Sequence, residues 1–292
     1  RFLRQLVQLK LEKPALQVIA AIGGWGTEGF SDAAATPASR YNFAREAKKL
    51  MNQYGLDGID IDWEYPGSSA AGIKSSPQDR ENFTLLITAL RDVLGDDAWL
   101  SVAGTGDSAY IRNSAEINKI APLITYFNLM SYDFTAGETG ENARKHQANL
   151  YPSDLSLPGY SVDDMVNNLI EAGMPSEKIL LGVAFYGRLG ATVTKSYDDL
   201  RKDYINKNGY EIAFDKQAQV PYLVKDGKFA MSYDNALSIF LKGQYVLRNC
   251  LGGIFAWTST YDQANILAKY MYQSIYDPDA LKSELEQVFG QF

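Results

Sequence analysis

The hydrophobic positions of the chain change period several times, and those changes mark its elements. Phe2, Leu6 and Leu9 recur at roughly helical spacing within residues 1–13, a run that Pro14 closes. Leu16 to Ile22 is an apolar run ending in Gly23-Gly24-Trp25, which predicts a buried strand and a loop. Phe43, Ala47, Leu50, Met51 and Tyr54 draw an amphipathic helix over residues 38–54, closed by Gly55. From Gly58 to Tyr65 the period drops to two: Ile59, Ile61 and Trp63 face one way, Asp60, Asp62 and Glu64 the other. Helical spacing returns over residues 77–94 with Phe83, Leu86, Ile87, Leu90 and Leu94, and stops at Gly95. Strands are expected at Trp99 to Ala103 and at Ile124 to Met130, the latter running into Ser131-Tyr132-Asp133-Phe134.

The second half repeats the alternation with one interruption. Ser161-Val162-Asp163-Asp164 resembles a capping box ahead of a helix carrying Met165, Val166, Leu169 and Ile170. Ile179 to Phe185 reads as a strand ending at Tyr186-Gly187-Arg188. Residues 189–233 break the pattern, being rich in Lys, Asp, Tyr and Gly with short strand-like pieces, and are expected to form a small inserted α+β domain. A helix at 234–248, a strand from Gly252 to Trp257 and a helix at 261–275 complete the chain. Strands alternating with long helices imply an α/β protein with a parallel sheet under helical cover. Its organisation would be 1–188 as the first part of a barrel, 189–233 as the insertion, and 234–292 as the last strand and helix. Trp25, Glu64, Tyr132, Asp133, Tyr186 and Trp257 fall just after strand ends, the active-site face of a (β/α) barrel. Only six such strands are found, where a closed barrel has eight.

Composition narrows the chemistry. The 292 residues carry a formal net charge of −7, which argues against nucleic acid and anionic membrane surfaces as partners. No apolar run approaches the roughly 18 residues that span a bilayer. Cys250 is the one cysteine and His146 the one histidine, so disulfides, zinc–thiolate sites and Ser-His-Asp catalysis drop out. Carboxylates and tyrosines are left to do any catalysis. The chain opens on Arg1-Phe2-Leu3 and not on Met, and is expected to be a fragment or a processed product.

Three acids on one strand face, with no Lys or Arg between them, repel one another unless they share protons or bind something. Asp62 is the nearest same-face neighbour of Glu64, about 6–7 Å away by strand rise. Carboxyls that close raise one another's pKa and keep an acid protonated near neutral pH, as glycoside hydrolysis requires. The rival reading is a Mg²⁺ or Ca²⁺ site; the alternating Asp/Asn and Gly of a calcium loop are absent, and no further acid cluster supplies ligands. No metal or cofactor is expected.

Asp57-Gly58-Ile59-Asp60-Ile61-Asp62-Trp63-Glu64 resembles the Asp-x-x-Asp-x-Asp-x-Glu signature of family 18 glycoside hydrolases, the chitinases. Ala21 to Trp25 is similar to the family's third-strand motif, Met130 to Phe134 to its sixth, Gly182 to Arg188 to its seventh and Gly252 to Trp257 to its eighth. Residues 214–234 resemble the insertion domain of the larger-clefted subfamily. The resemblance implies a (β/α)8 TIM barrel whose first two strands have no counterpart in this chain, plus the insertion. It also implies hydrolysis of β-1,4-linked N-acetylglucosamine polymers by a retaining, substrate-assisted route. Glu64 would protonate the glycosidic oxygen and the substrate's acetamido oxygen would attack the anomeric carbon. Asp62 would orient the acetamido group, with Asp60 as its buried partner, and Tyr132 would hydrogen-bond it. Asp133 would touch the neighbouring sugar, Trp257 would form an apolar floor, and Trp25, Met130, Tyr186 and Arg188 would line the binding surface. The expected partners are chitin or N-acetylglucosamine oligosaccharides, the expected state a monomer, and the expected location secreted or cell-surface.

Departures from the family pattern lie at Ala21, in place of a small hydroxyl that supports the inner aspartates, at Ala184 in place of Pro, and at Thr135-Ala136 in place of His-Gly. Two other functions stay open: a catalytically silent sugar-binding relative, which would usually have lost the acid at Glu64, and an endo-N-acetylglucosaminidase acting on glycoprotein glycans, against which the insertion speaks. Simpler roles are expected for Trp63 and Trp99 as core residues, for Arg188 as the partner of an acid in the insertion, for Cys250 as a small buried hydrophobe, and for His146 as exposed and inert.

Overall fold

The computed structural model describes residues 2–292; Arg1, the first residue of the expected N-terminal helix, lies outside them. In chain order the first elements are α1 (Phe2–Gln8), β1 (Ile19–Gly23), α2 (Phe30–Ala34), α3 (Pro37–Tyr54), β2 (Gly58–Asp62) and α4 (Asp79–Leu94). Next come β3 (Trp99–Gly104), α5 (Ser108–Asn113), α6 (Ile117–Ile120), β4 (Tyr126–Leu129), α7 (Val162–Glu171), β5 (Ile179–Ala184) and β6 (Tyr186–Leu189). Then follow β7 (Val193–Ser196), α8 (Tyr197–Asp199), β8 (Tyr210–Asp215), β9 (Val220–Lys225) and β10 (Lys228–Ser232). The chain closes with α9 (Ala236–Arg248), β11 (Gly253–Trp257), α10 (Ile266–Tyr276) and α11 (Pro278–Phe289). The six strands expected from the hydrophobic pattern are β1 to β5 and β11. The chain divides into two compact units, Arg1–Asn128 with Asn168–Lys178 and Leu129–Asn167 with Ile179–Phe292.

In the first unit β1, β2 and β3 pair in parallel, and their register sets Ala21, Asp60 and Ser101 in one row. Ile59 and Ile61 take the other face and are fully buried. Trp63 is core, as its place in the alternation predicts: it stacks on Phe30 of α2 at 5.4 Å and meets Phe83 of α4 edge-on at 5.8 Å. Trp99 is only half-buried and lies against Tyr126. The acid strand is shorter than its alternation suggests. It ends at Asp62, whose carbonyl accepts from the Gly24 N–H, so Glu64 stands in the loop beyond. Gly23 is required there, because a Cβ at that position would sit 1.9 Å from the Asp62 carbonyl oxygen. Pro37 at the first turn and the Thr36–Ser39 capping box start α3, and Gly55, at φ 68°, ends it.

In the second unit β5 and β11 pair in parallel from Leu180–Gly253 to Ala184–Trp257. A separate antiparallel sheet runs in the order β7-β6-β10-β9-β8. It takes in Tyr186–Leu189 through pairing with β7, so the antiparallel region begins three residues before the 189 expected for the insertion. The last barrel-type helix begins at Ile266 and not at 261, because the Asp262 carboxylate accepts from the Ile266 and Ala268 N–H groups and fixes the start. Helix α11 was not expected. Its Leu281 and Leu285, one turn apart, bury against Leu237 and Phe240 of α9.

Cys250 and His146 also depart from expectation. Cys250 is exposed, in the left-handed region at φ 51° just after α9. His146 is fully buried, its Nε2 3.1 Å from Asp215 Oδ2 and its ring edge-on to Tyr222 and Phe229.

Candidate active site

The predicted site residues fall into two sets, one in each unit. The first set stands on the row that the register creates. Asp60 is buried, and its Oδ1 accepts from Ser101 Oγ at 2.6 Å and from Asn128 Nδ2 at 2.8 Å. Ser101 thus supplies a hydroxyl from β3, on the side of β2 opposite Ala21. Burial pushes the Asp60 carboxyl up, and the two hydrogen bonds partly offset the rise. Asp62 is half-buried and pushed up to about 7, first by burial, then by the charges of Glu64 and Asp60 and by a hydrogen bond with Glu64. Its Oδ1 is buried without a hydrogen-bond partner. A carboxyl in that condition holds a proton near neutrality, and the Asp62–Glu64 pair can trade it.

Two tyrosines enclose these acids. Tyr65 hydrogen-bonds Glu64, and its phenol lies well above its usual value through burial and then the Glu64 charge. Tyr110 of α5 packs edge-on against Tyr65 at 5.8 Å, with its hydroxyl buried. Trp25 is 62% exposed and meets Tyr65 edge-on at 6.3 Å. The Glu64–Tyr65 and Trp257–Thr258 peptide bonds are cis.

The second set gathers around Asp133, a non-glycine residue at φ 61° in the loop after β4. Its Oδ1 accepts from the Tyr186 phenol at 2.7 Å and from Arg188 Nε at 2.7 Å. Arg188 therefore pairs with this loop aspartate, and not with an acid of the insertion. Burial, and after it the Asp133 charge, raises Tyr186 well above the phenol's usual range. Tyr132 is buried, edge-on to both Tyr186 and Phe255, and Met130 is buried just before it. Trp257, at the end of β11, is 54% exposed. Among the described residues no three His, Cys, Asp or Glu side chains are grouped to hold a metal ion.

Ser101, Asn128, Tyr65 and Tyr110 were not singled out from the sequence. The signal for Ser101 was present, a lone polar position inside an apolar strand and in register with Asp60, and Asn128 is likewise the one amide of its strand.

Parallel strands alternating with helices, and a strand-end group of acids one of which is pushed up to about 7, define a glycosidase-type α/β protein. The profile of Glycosyl hydrolases family 18 matches residues 1–262, and the chain belongs to that family, with its TIM-barrel-like fold. Chitinase A1 of Niallia circulans is 34% identical over 303 residues, covering 91% of this chain and 43% of its own length. Chitotriosidase-1 of Mus musculus is 30% identical, covering 89% of this chain and 61% of its own length. This chain spans about half the length of the curated relatives it matches. Among solved structures, the chitinase domain of the spore coat protein CotE from Clostridium difficile is 77% identical with a TM-score of 0.71, over all of this chain and 85% of that one. A family 18 N-acetylglucosaminidase from Paenibacillus barengoltzii is 34% identical with a TM-score of 0.87, over 94% of this chain and 87% of that one.

Proposed function

We propose that this chain is a chitinase domain that hydrolyses β-1,4-linked N-acetylglucosamine polymers with retention, the substrate's acetamido group acting as nucleophile. The observation that carries the reading is the Asp62–Glu64 pair: a carboxyl pushed up to about 7, hydrogen-bonded to the residue that would serve as general acid. Its chain is 77% identical to a chitinase domain. Glu64 donates a proton to the glycosidic oxygen, and the acetamido oxygen closes on the anomeric carbon to give an oxazolinium ion. Asp62 takes the acetamido N–H and stabilises the positive charge, and Asp60, anchored by Ser101 and Asn128, supports Asp62. Water then opens the ring while Glu64 takes a proton back.

Tyr132 hydrogen-bonds the acetamido group, Asp133 contacts the adjoining sugar, and Trp257 supplies the floor beneath it. Trp25, Met130, Tyr186 and Arg188 line the rest of the binding surface. The antiparallel sheet β6 to β10 is the insertion domain of the larger-clefted subfamily. The domain acts as a monomer on chitin or its oligosaccharides, without metal or cofactor, outside the cell or at its surface. No helix among the described residues is long and apolar enough to cross a membrane. The presence of Glu64 favours this reading over a silent sugar-binding relative.

Product sizing on short chito-oligosaccharides tests it. Shorter N-acetylglucosamine oligomers are expected. Binding without cleavage would move the chain to the silent class, and absence of both would end the assignment.

A further inference from the structure

The segment 146–150, His-Gln-Ala-Asn-Leu, lies outside any helix or strand, yet all five of its residues are buried. A polar run shut away from water destabilises the fold unless its groups find partners. Here they do, and the partners tie several elements of the second unit together. His146 reaches Asp215 at the end of β8, whose carboxylate also accepts from Ser153 Oγ. Asn149 Nδ2 donates to the carbonyls of Tyr151 and Tyr160, and its own carbonyl accepts from the Val162 N–H at the head of α7.

Gln147, between them, makes three bonds to three places. Its Nε2 donates to the Tyr186 carbonyl of β6 at 2.9 Å. Its backbone N–H donates to Ser232 Oγ of β10 at 3.0 Å, and its carbonyl accepts from the Phe134 N–H at 3.1 Å. Phe134 follows Asp133, whose left-handed backbone persists only where the surroundings hold it.

We infer that Gln147 is a positioning residue for sugar binding: it clamps the Asp133 loop to the strand that carries Tyr186 and Arg188. Substrate then meets Asp133 and Tyr186 already hydrogen-bonded in one arrangement. The inference rests on the reading above that these residues contact sugar. Gln147 Oε1 is buried without a partner, so the side chain is anchored through its Nε2 donor to Tyr186 alone.

Two variants and one crystal structure test the clamp. Gln147→Leu removes the donor to Tyr186, and KM for N-acetylglucosamine oligosaccharides should rise on the order of tenfold with kcat little changed. Gln147→Glu keeps the length. Protonated, it can donate to the Tyr186 carbonyl; ionised, it turns a charge toward that carbonyl. Its KM should match the wild type at low pH and climb to the leucine variant's as pH rises, a response that mere loss of packing would not produce. A sugar-free crystal structure of Gln147→Leu should show the Tyr186 Oη–Asp133 Oδ1 contact, 2.7 Å here, opened. An intact contact, or KM unchanged in both variants, overturns the inference. If the contact opens but the wild-type domain neither binds nor cleaves the oligosaccharides, the clamp stands and the proposed function fails.

Discussion

Asp60 and Asp62 stand two residues apart on one strand and are held in opposite ways. Asp60 Oδ1 has two donors, Ser101 and Asn128, whereas Asp62 Oδ1 is buried with none. Burial raises both carboxyls; the two donors partly offset the rise at Asp60, while the charges of Glu64 and Asp60 add to it at Asp62. The Asp62–Glu64 pair shares a proton, and Glu64 acts as the acid when that proton lies on it, so the different surroundings of the two aspartates are the electrostatic basis of the proposed mechanism.

That difference has a stability consequence. Asp62 is raised from its ordinary 3.8 to about 7 in the folded state. Between those values the folded protein holds a proton that the unfolded chain has released, so raising the pH favours unfolding. The contribution of Asp62 is complete below about pH 4 and is lost as pH rises through about 7. Asp62→Asn should flatten the fall in stability across that window in denaturant titrations. Equal slopes for variant and wild type would contradict the raised value.

Trp25 and Trp257 present indole surface to solvent. Binding of a chito-oligosaccharide should change the intrinsic fluorescence, and Trp257→Ala should weaken binding on the order of tenfold through lost apolar burial. An unchanged titration in Trp257→Ala would remove this residue from the binding surface.

Arg188 donates through Nε to Asp133, which lysine cannot reproduce with the same fixed fork. Arg188→Lys should raise KM severalfold, on the scale of one charge-assisted hydrogen bond, with a smaller effect on kcat. Steady-state kinetics on oligosaccharides decide this, and a purely kcat defect would speak for a catalytic role instead.

Asp234 and Lys242 form a fully buried pair at 2.7 Å. Lys242→Met strands the aspartate and should lower stability by about 3–5 kcal/mol, while adding Asp234→Asn should recover part of the loss. Thermal unfolding of the two variants measures both steps.

Much of the fold was legible because two periods, 2.0 and 3.6, separate its strands from its helices cleanly. The acid strand and its Trp63 core face are the clearest case. Where the reading missed, a tertiary partner decided the outcome. Asp262 sets the start of α10, and α11 exists because α9 offers Leu281 and Leu285 an apolar face. His146 looked like a surface residue among Arg144, Lys145 and Gln147, and only Asp215, 69 residues on, makes its burial affordable. The acids themselves could be named from the sequence, but Ser101 and Asn128 could be joined to Asp60 only through the register of β2 with β3 and the hydrogen bonds of the folded chain.

Glu64→Gln tests the central claim most directly, since it replaces the proposed proton donor by a neutral group of the same shape. Turnover of N-acetylglucosamine oligosaccharides should fall by about 10²–10⁴-fold while their binding, followed by calorimetry, survives. Turnover at the wild-type rate, or binding lost together with turnover, would contradict the assignment of Glu64 as the general acid.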